Sequence, residues 1–238
     1  MNDTNLIRIG VIGVGHLGNF HVQQISEIPN LSLSGIYDAD MNRAKQISEK
    51  YGTVVFESPD ELFRNSDAVS IVTPTSFHHQ VAMAAMDEKC HVFIEKPITK
   101  TIPEAREILE KAEENILIIQ VGHIEQFNPA FLAIENMDIK PRFLECHRLS
   151  PFNPRGTDVP VVLDLMIHDI GIILSLVPSE VTSIQASGVN VVSDTADIAN
   201  ARIEFANGCV ANLTSSRISQ KQMRKLRIFQ SNNSVTID

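Results

Sequence analysis

LIRIGVIGVGHLG, residues Leu6–Gly18, reads as a buried strand that runs directly into a glycine-rich turn. Apolar Ile7, Ile9, Val11 and Ile12 are followed by Gly13, Gly15 and Gly18 at the G-x-G-x-x-G spacing. In a dinucleotide-binding turn each glycine has its own task. Gly13 lets the chain leave the strand sharply, Gly15 lets a pyrophosphate approach the backbone, and Gly18 lets the next helix pack closely. The helix that starts near His16 and Leu17 then points unpaired N–H groups and a positive dipole end at the phosphates. Glycine clusters also close ordinary turns, so the motif draws its force from its place between a strand and a helix.

Outward from this turn, Leu17–Ile28 has helical spacing and Leu31–Tyr37 reads as a second strand stopping at Asp38. Asp38 lies 20 residues past Gly18, where the dinucleotide fold places the carboxylate that accepts hydrogen bonds from the adenosine ribose. The competing use of Asp38, as a helix cap, is better served by Asp40. The alternation continues with a helix at Asn42–Lys50, a short strand at Val54–Phe56, and a Ser58/Glu61 capping box with Pro59 at the first helical position. Next come a strand at Ala68–Val72 ending in TPTSFHH, a helix at His78–Met86, and a strand at His91–Ile94 closed by Glu95-Lys96-Pro97. A second capping box, Thr101/Glu104, opens a helix, and Ile116–Val121 is a further strand. Strand and helix alternating over short connections predict a parallel, doubly wound sheet. Ligands of such sheets sit beyond the carboxyl ends of the strands, where Gly13, Asp38, Thr73 and Lys96 all fall.

Past Gly122 the pattern changes. A short helix at Pro129–Asn136, a strand at Phe143–Leu149 and a proline-containing loop lead to an apolar helix, Val161–Leu176. Strands are expected at Val181–Gly188, Asp197–Phe205, Cys209–Ser216 and Lys225–Gln230, with Asn207-Gly208 as a hairpin turn. Successive strands with tight turns predict a second domain with a mostly antiparallel sheet. The expected division is therefore 1–122, a dinucleotide-binding domain, and 123–238, a substrate-binding and oligomerisation domain.

Composition narrows the function classes. The 238 residues carry a net charge of −9, with 43% hydrophobic and 21% charged residues, which argues against a general nucleic-acid or anionic-membrane surface. Neither a secretory signal nor a stretch of roughly 18 uncharged apolar residues is visible. Cys90, Cys146 and Cys209 are odd in number and far apart, as reduced thiols of a cytoplasmic protein would be. No metal is expected: His78-His79 cannot share one helical face, and no H-E-x-x-H or cysteine cluster occurs.

Two constellations carry chemistry. In Glu95-Lys96-Pro97 a lysine at a strand end is followed by a proline that restricts the backbone, which holds the amine towards the crevice. Alone, the tripeptide would read as a surface salt bridge. On the apolar helix Asp164 and His168 stand four apart and share a face. A core histidine held by its carboxylate would be the plain account, and a general base oriented by an acid the sharper one.

GVIGVGHLG, IYDAD, VTPTSFHH, EKP, VGHIEQFNP and DLMIHDIG, in this order, resemble the glucose-fructose oxidoreductase / inositol dehydrogenase family of NAD(P)-dependent enzymes over essentially the whole chain. Within it, VGHIEQFNPAF and VVLDLMIHDIG are similar to the UDP-N-acetylglucosamine 3-dehydrogenase branch. The resemblance implies a Rossmann domain followed by an α/β domain whose large open sheet serves oligomerisation. It implies that Lys96 and His168 are catalytic, that Asp164 contributes to the same site, and that Thr73, Pro74, His78 and Glu95 line the cofactor crevice. Family members usually continue beyond SVTID, so the second domain is expected to be shortened and to leave an open sheet edge.

The resulting expectation is a cytoplasmic, homo-oligomeric oxidoreductase that prefers NAD to NADP and oxidises a secondary alcohol of a sugar or sugar nucleotide. Two alternatives stay open: a non-catalytic dinucleotide-binding sensor or assembly subunit, and a biliverdin-reductase-like reductase with a flat hydrophobic ligand.

Overall fold

The computed structural model of the chain describes residues 6–134, 137–153 and 159–238. It contains two compact units, Met1–Gly122 and His123–Asp238.

The first unit is built on a five-stranded sheet of β1 (Ile7–Ile12), β2 (Leu31–Tyr37), β3 (Ala68–Ile71), β4 (His91–Ile94) and β5 (Ile119–Val121). Its order is β2-β1-β3-β4-β5 and every pairing is parallel. The helices are α1 (His16–Glu27), α2 (Met41–Tyr51), α3 (Pro59–Arg64), α4 (His78–Asp87) and α5 (Ile102–Asn115). Consecutive strand residues face opposite sides, so Val11 joins a core cluster with Val22 and Ile25 of α1 and Ala44 of α2. Ile12 joins another with Phe63 of α3, Ala82 and Met86 of α4 and Ile108 of α5. The chain crosses over β1 between β2 and β3, so the strand order reverses between β1 and β3. In open parallel sheets the ligand crevice lies at this switch point.

Local chemistry sets the helix starts. Asp40 caps α2 by accepting from the N–H groups of Asn42 and Arg43. Thr101 and Glu104 form a complete capping box on α5. The box at Ser58 is only half formed: Ser58 accepts from Glu61 N–H, while the Glu61 carboxylate takes the N–H of Glu57 instead. Two strand expectations shrink. Val54–Phe56 contributes a single parallel bridge, Val55 to Ile36, because Val54 O and the Phe56 N–H both bond Ile36 and no further register follows. β5 starts only at Ile119, since Ile116 takes a left-handed φ of 57° to end α5.

The second unit holds a six-stranded sheet of β6 (Phe143–Leu149), β7 (Val181–Val189), β8 (Ile198–Phe205), β9 (Val210–Ser216), β10 (Met223–Phe229) and β11 (Ser234–Ile237). The order is β11-β10-β6-β9-β8-β7, and only β6 and β9 pair in parallel. β8 and β9 turn at Asn207-Gly208, where Gly208 supplies the positive φ of 82°. Ahead of the sheet, α6 (Pro129–Leu132) is shorter than expected, and residues 135–136 lie outside the described residues. Part of the expected loop, residues 154–158, lies outside them too. The expected Val161–Leu176 helix is composite: a π-helical turn, Val162–Met166, leads into α7 (Ile167–Leu176). Val161, Met166, Ile172 and Ile173 of this segment pack on Leu144, Ala201, Ala211, Leu213 and Ile228 of the sheet.

Candidate functional site

In the first unit the switch point is assembled from three strand ends. Gly13 sits at φ +86°, and a Cβ on it would stand 2.8 Å from Thr73 N and from the Val72 carbonyl, so the β1 end and the β3 end touch backbone to backbone. A Cβ on Gly18 would fall 1.9 Å from the Gly13 carbonyl oxygen, which brings the first turn of α1 against the turn itself. At Gly15 nothing lies within 4 Å of where a Cβ would be. The helix N-terminus is uncapped by any side chain and has no acidic residue in its first turn, with His16 and Leu17 exposed beside it.

Asp38, at the end of β2, is 7% exposed. Its Oδ2 accepts from Val14 N–H at 2.8 Å and its Oδ1 from Asp40 N–H at 2.8 Å. The Arg43 guanidinium stands 3.5 Å from Oδ1. Thr73 Oγ1 is buried and has no hydrogen-bond partner among the described residues, and Pro74 beside it is exposed. These features fit a dinucleotide: an open backbone at Gly15, unsatisfied N–H groups at a helix start, a carboxylate at the second strand end and an orphaned hydroxyl.

At the β4 end Glu95 is 8% exposed, so it is no surface partner. Its Oε1 accepts from His21 Nε2 at 3.1 Å and its Oε2 from Lys96 N–H at 3.2 Å. Lys96 is half-buried and precedes a cis peptide to Pro97. His78 is 1% exposed, with Nδ1 2.9 Å from Pro97 O and Nε2 2.9 Å from Thr73 O, so both ring nitrogens are engaged by the two strand-end loops. Gly13, Gly18, Asp38, Thr73, His78, Glu95 and Lys96 thus lie on a connected set of loops in this unit.

In the second unit Asp164 lies in the π-helical turn and His168 in the first turn of α7, and both are half-buried rather than deep in the apolar core. The interval between them spans the junction of two helix types, and π turns of this kind recur at functional sites. Beside His168, Asp169 is buried and takes a bidentate set of bonds from Arg148, at 2.8 Å from Nη2 and 3.1 Å from Nε. Glu125 lies 3.4 Å from both Arg148 and Arg224. Burial works against the charge on Arg148, but its bonds to Asp169 outweigh this and raise the guanidinium, while burial raises the Asp169 carboxyl in spite of the arginine. A second buried pair joins Asp197 to Arg217 Nε at 2.8 Å. Asp197 also accepts from the N–H groups of Val191, Val192 and Ser193 and from Ser193 Oγ–H. These donors, the Ser193 N–H foremost, hold its carboxyl well below the ordinary range.

The His21–Ser70–Glu95 network and the Arg148–Asp169 pair were not anticipated, though a signal existed for one of them. Period-two alternation in β6 puts Arg148 on the face of Leu144 and Cys146, and a cation at such an inward position requires a buried partner.

Comparison with known proteins completes the assignment. Residues 7–123 match the model of an oxidoreductase family with an NAD-binding Rossmann fold, and residues 142–236 match the GFO/IDH/MocA C-terminal domain. The chain is 42% identical to the UDP-N-acetylglucosamine 3-dehydrogenase of Acidithiobacillus ferrooxidans, over 98% of this chain and 74% of that one. It is 30% identical to the NAD(+) scyllo-inositol 2-dehydrogenase of Bacillus subtilis, over 90% of this chain and 68% of that one. A solved structure of the Acidithiobacillus enzyme superposes with a TM-score of 0.91 at 41% identity, covering 98% of this chain and 77% of that one. Parallel first sheet, mostly antiparallel second sheet and sequence all agree: this chain belongs to the GFO/IDH/MocA family of oxidoreductases.

Proposed function

We propose that the protein is an NAD-dependent dehydrogenase that oxidises a ring secondary alcohol of a sugar nucleotide, with UDP-N-acetylglucosamine as the first substrate to test. The observation that carries this reading is the cradle at the β1, β2 and β3 ends, together with a lysine two residues past β4. Similarity to a UDP-N-acetylglucosamine 3-dehydrogenase supports the substrate class.

Gly13, Gly15, Gly18 and the N–H groups at His16 and Leu17 would hold the pyrophosphate of the cofactor. Asp38 would accept from the adenosine ribose, with Thr73, Pro74, His78 and Glu95 around the crevice. Bound there, the nicotinamide supplies the hydride acceptor. In this reading His168 takes the proton of the substrate hydroxyl, and Asp164 orients or tunes the imidazole. Lys96 donates a hydrogen bond to a substrate oxygen and stabilises developing negative charge on it. Proton transfer by a placed base is worth roughly 10²- to 10⁴-fold, and orientation of the reacting C–H supplies much of the rest.

The second-unit sheet would carry self-association, a reading supported by its edge strand β7 and by exposed Ile184, Val189, Val191 and Val192. Three free cysteines and, among the described residues, no helix long and apolar enough to cross a membrane accord with a place in the cytoplasm. Incubation with NAD or NADP and a panel of UDP-sugars and inositols, followed by the near-ultraviolet absorbance of reduced cofactor, tests the reading. Reduction with UDP-N-acetylglucosamine supports it. Cofactor binding without reduction on any sugar would overturn it.

A further inference from the structure

We propose that His21 of α1 is a positioning residue for Lys96, acting through the buried carboxylate of Glu95. The inference rests on the reading of Lys96 as the group that meets the substrate oxygen. His21 stands one helical turn past Gly18. Its ring is fixed on three sides: Nε2 is 3.1 Å from Glu95 Oε1, Nδ1 is 2.8 Å from Ser70 Oγ, and the ring meets Phe93 edge to face at 5.6 Å. Strand alternation explains why these partners converge. Phe93 and Glu95 are two apart along the β4 line, and Ser70 pairs in register with Phe93 on β3. In the neutral ring Nε2–H donates to Glu95 and Nδ1 accepts from the Ser70 hydroxyl, so every polar atom of the trio is used.

Glu95 passes this constraint on. One carboxylate oxygen is held by His21 and the other accepts from the backbone N–H of Lys96. A Cβ on Gly122 would stand 2.9 Å from Oε1, so the end of β5 leaves room for the carboxylate only because residue 122 has no side chain. The carboxylate is therefore wedged between α1, β5 and the lysine that follows it. Removing the imidazole leaves a buried carboxylate short of a donor, and its rotation towards another donor carries the Lys96 backbone along. A misplacement of about 1 Å costs about 10²-fold in rate.

The test uses the full chain with NAD and UDP-N-acetylglucosamine, and His21→Leu and His21→Gln in the wild-type and Lys96→Met backgrounds. His21→Leu should lower kcat by about 10²-fold with little change in KM for NAD. It should add almost nothing in the Lys96→Met background, because no lysine remains to be misplaced. His21→Gln, whose amide can still donate to Glu95, should restore most of the loss. A readout independent of turnover is trace labelling with acetic anhydride, with the ratio of Lys96 to exposed Lys100 modification read by mass spectrometry. That ratio should change several-fold in His21→Leu, return in His21→Gln, and change likewise in Glu95→Gln. Equal kinetic losses in both backgrounds, or an unchanged labelling ratio, would overturn the proposal. Should Lys96→Met keep full turnover, the catalytic role of Lys96 falls, while the labelling ratio still decides whether His21 governs that lysine.

Discussion

The carboxylate of Asp38 bonds the backbone N–H of Val14 across the glycine turn at 2.8 Å, so the group assigned to the cofactor ribose also closes the turn that would hold the pyrophosphate. A 2′-phosphate about 4 Å from this carboxylate meets a repulsion of about 4 kcal/mol at an effective dielectric near 20. Arg43, 3.5 Å away and half-exposed, softens this only in part. Titration calorimetry should therefore give NAD the tighter binding by a wide margin. Asp38→Asn should narrow the preference and also destabilise the unit by about 1–3 kcal/mol, because one buried N–H loses its acceptor. NADP bound as tightly as NAD by the unsubstituted protein would refute the role given to Asp38.

His168→Ala should leave NAD affinity nearly unchanged and lower turnover by roughly 10²-fold or more. Lys96→Met should also depress turnover, since an uncharged chain of similar length cannot stabilise a developing alkoxide. Asp164→Asn should be milder and shift the pH profile of kcat/KM. Melting curves on the same preparations separate chemistry from folding. A destabilised but fully active His168→Ala protein would mark His168 as a packing residue.

The Arg148–Asp169 pair should behave as a buried ion pair next to His168. Arg148→Leu strands a buried carboxylate and should cost about 3–5 kcal/mol, whereas Arg148→Leu with Asp169→Leu should recover much of the loss. Urea unfolding of the three proteins checks this. Single and double variants of equal stability would show that the pair bears little of the fold.

Asp197 gives the second unit an acid limit. An aspartate in the unfolded chain titrates near 3.9 and this one titrates lower when folded, so its contribution is complete above about pH 4 and is lost as the pH falls through the folded value. Asp197→Asn removes that dependence. The gap in unfolding midpoint between the wild-type and Asp197→Asn proteins should be widest near neutrality and should shrink below about pH 4. A gap that stays constant down to pH 2 would contradict this assignment.

Among the described residues β7 lies at one edge of the second sheet, with Ile184 and Val189 exposed on it, and an edge strand of this kind favours symmetric pairing with another copy. Light scattering at tens of micromolar should show an oligomer. Val191→Asp combined with Ile184→Lys should weaken it without altering the first unit, and a monomeric wild-type protein would remove the proposal.

Patterns of short range were legible in the sequence alone. G-x-G-x-x-G after an apolar strand, capping residues at Asp40 and Thr101, and the Asn207-Gly208 turn are each set by residues a few positions apart, whose conformational preferences act before any tertiary contact forms. Strand alternation then predicted both sheets and their classes. What the tertiary structure decided was what long-range packing adds. It reduced Val54–Phe56 to a single bridge, because only Ile36 offers it partners. It inserted a π turn ahead of His168, and it paired β6 in parallel with β9 inside an otherwise antiparallel sheet. It also chose partners for buried charges. Asp38 could be read as a ribose ligand from spacing, but its bond to Val14 requires the β1 and β2 ends to lie side by side. His21 and Glu95 are 74 residues apart and Arg148 and Asp169 are 21 apart, and no local periodicity encodes either pairing. Such contacts are made when the chain buries a polar group and must satisfy it, a requirement met in three dimensions by whichever partner the packed strands bring within reach.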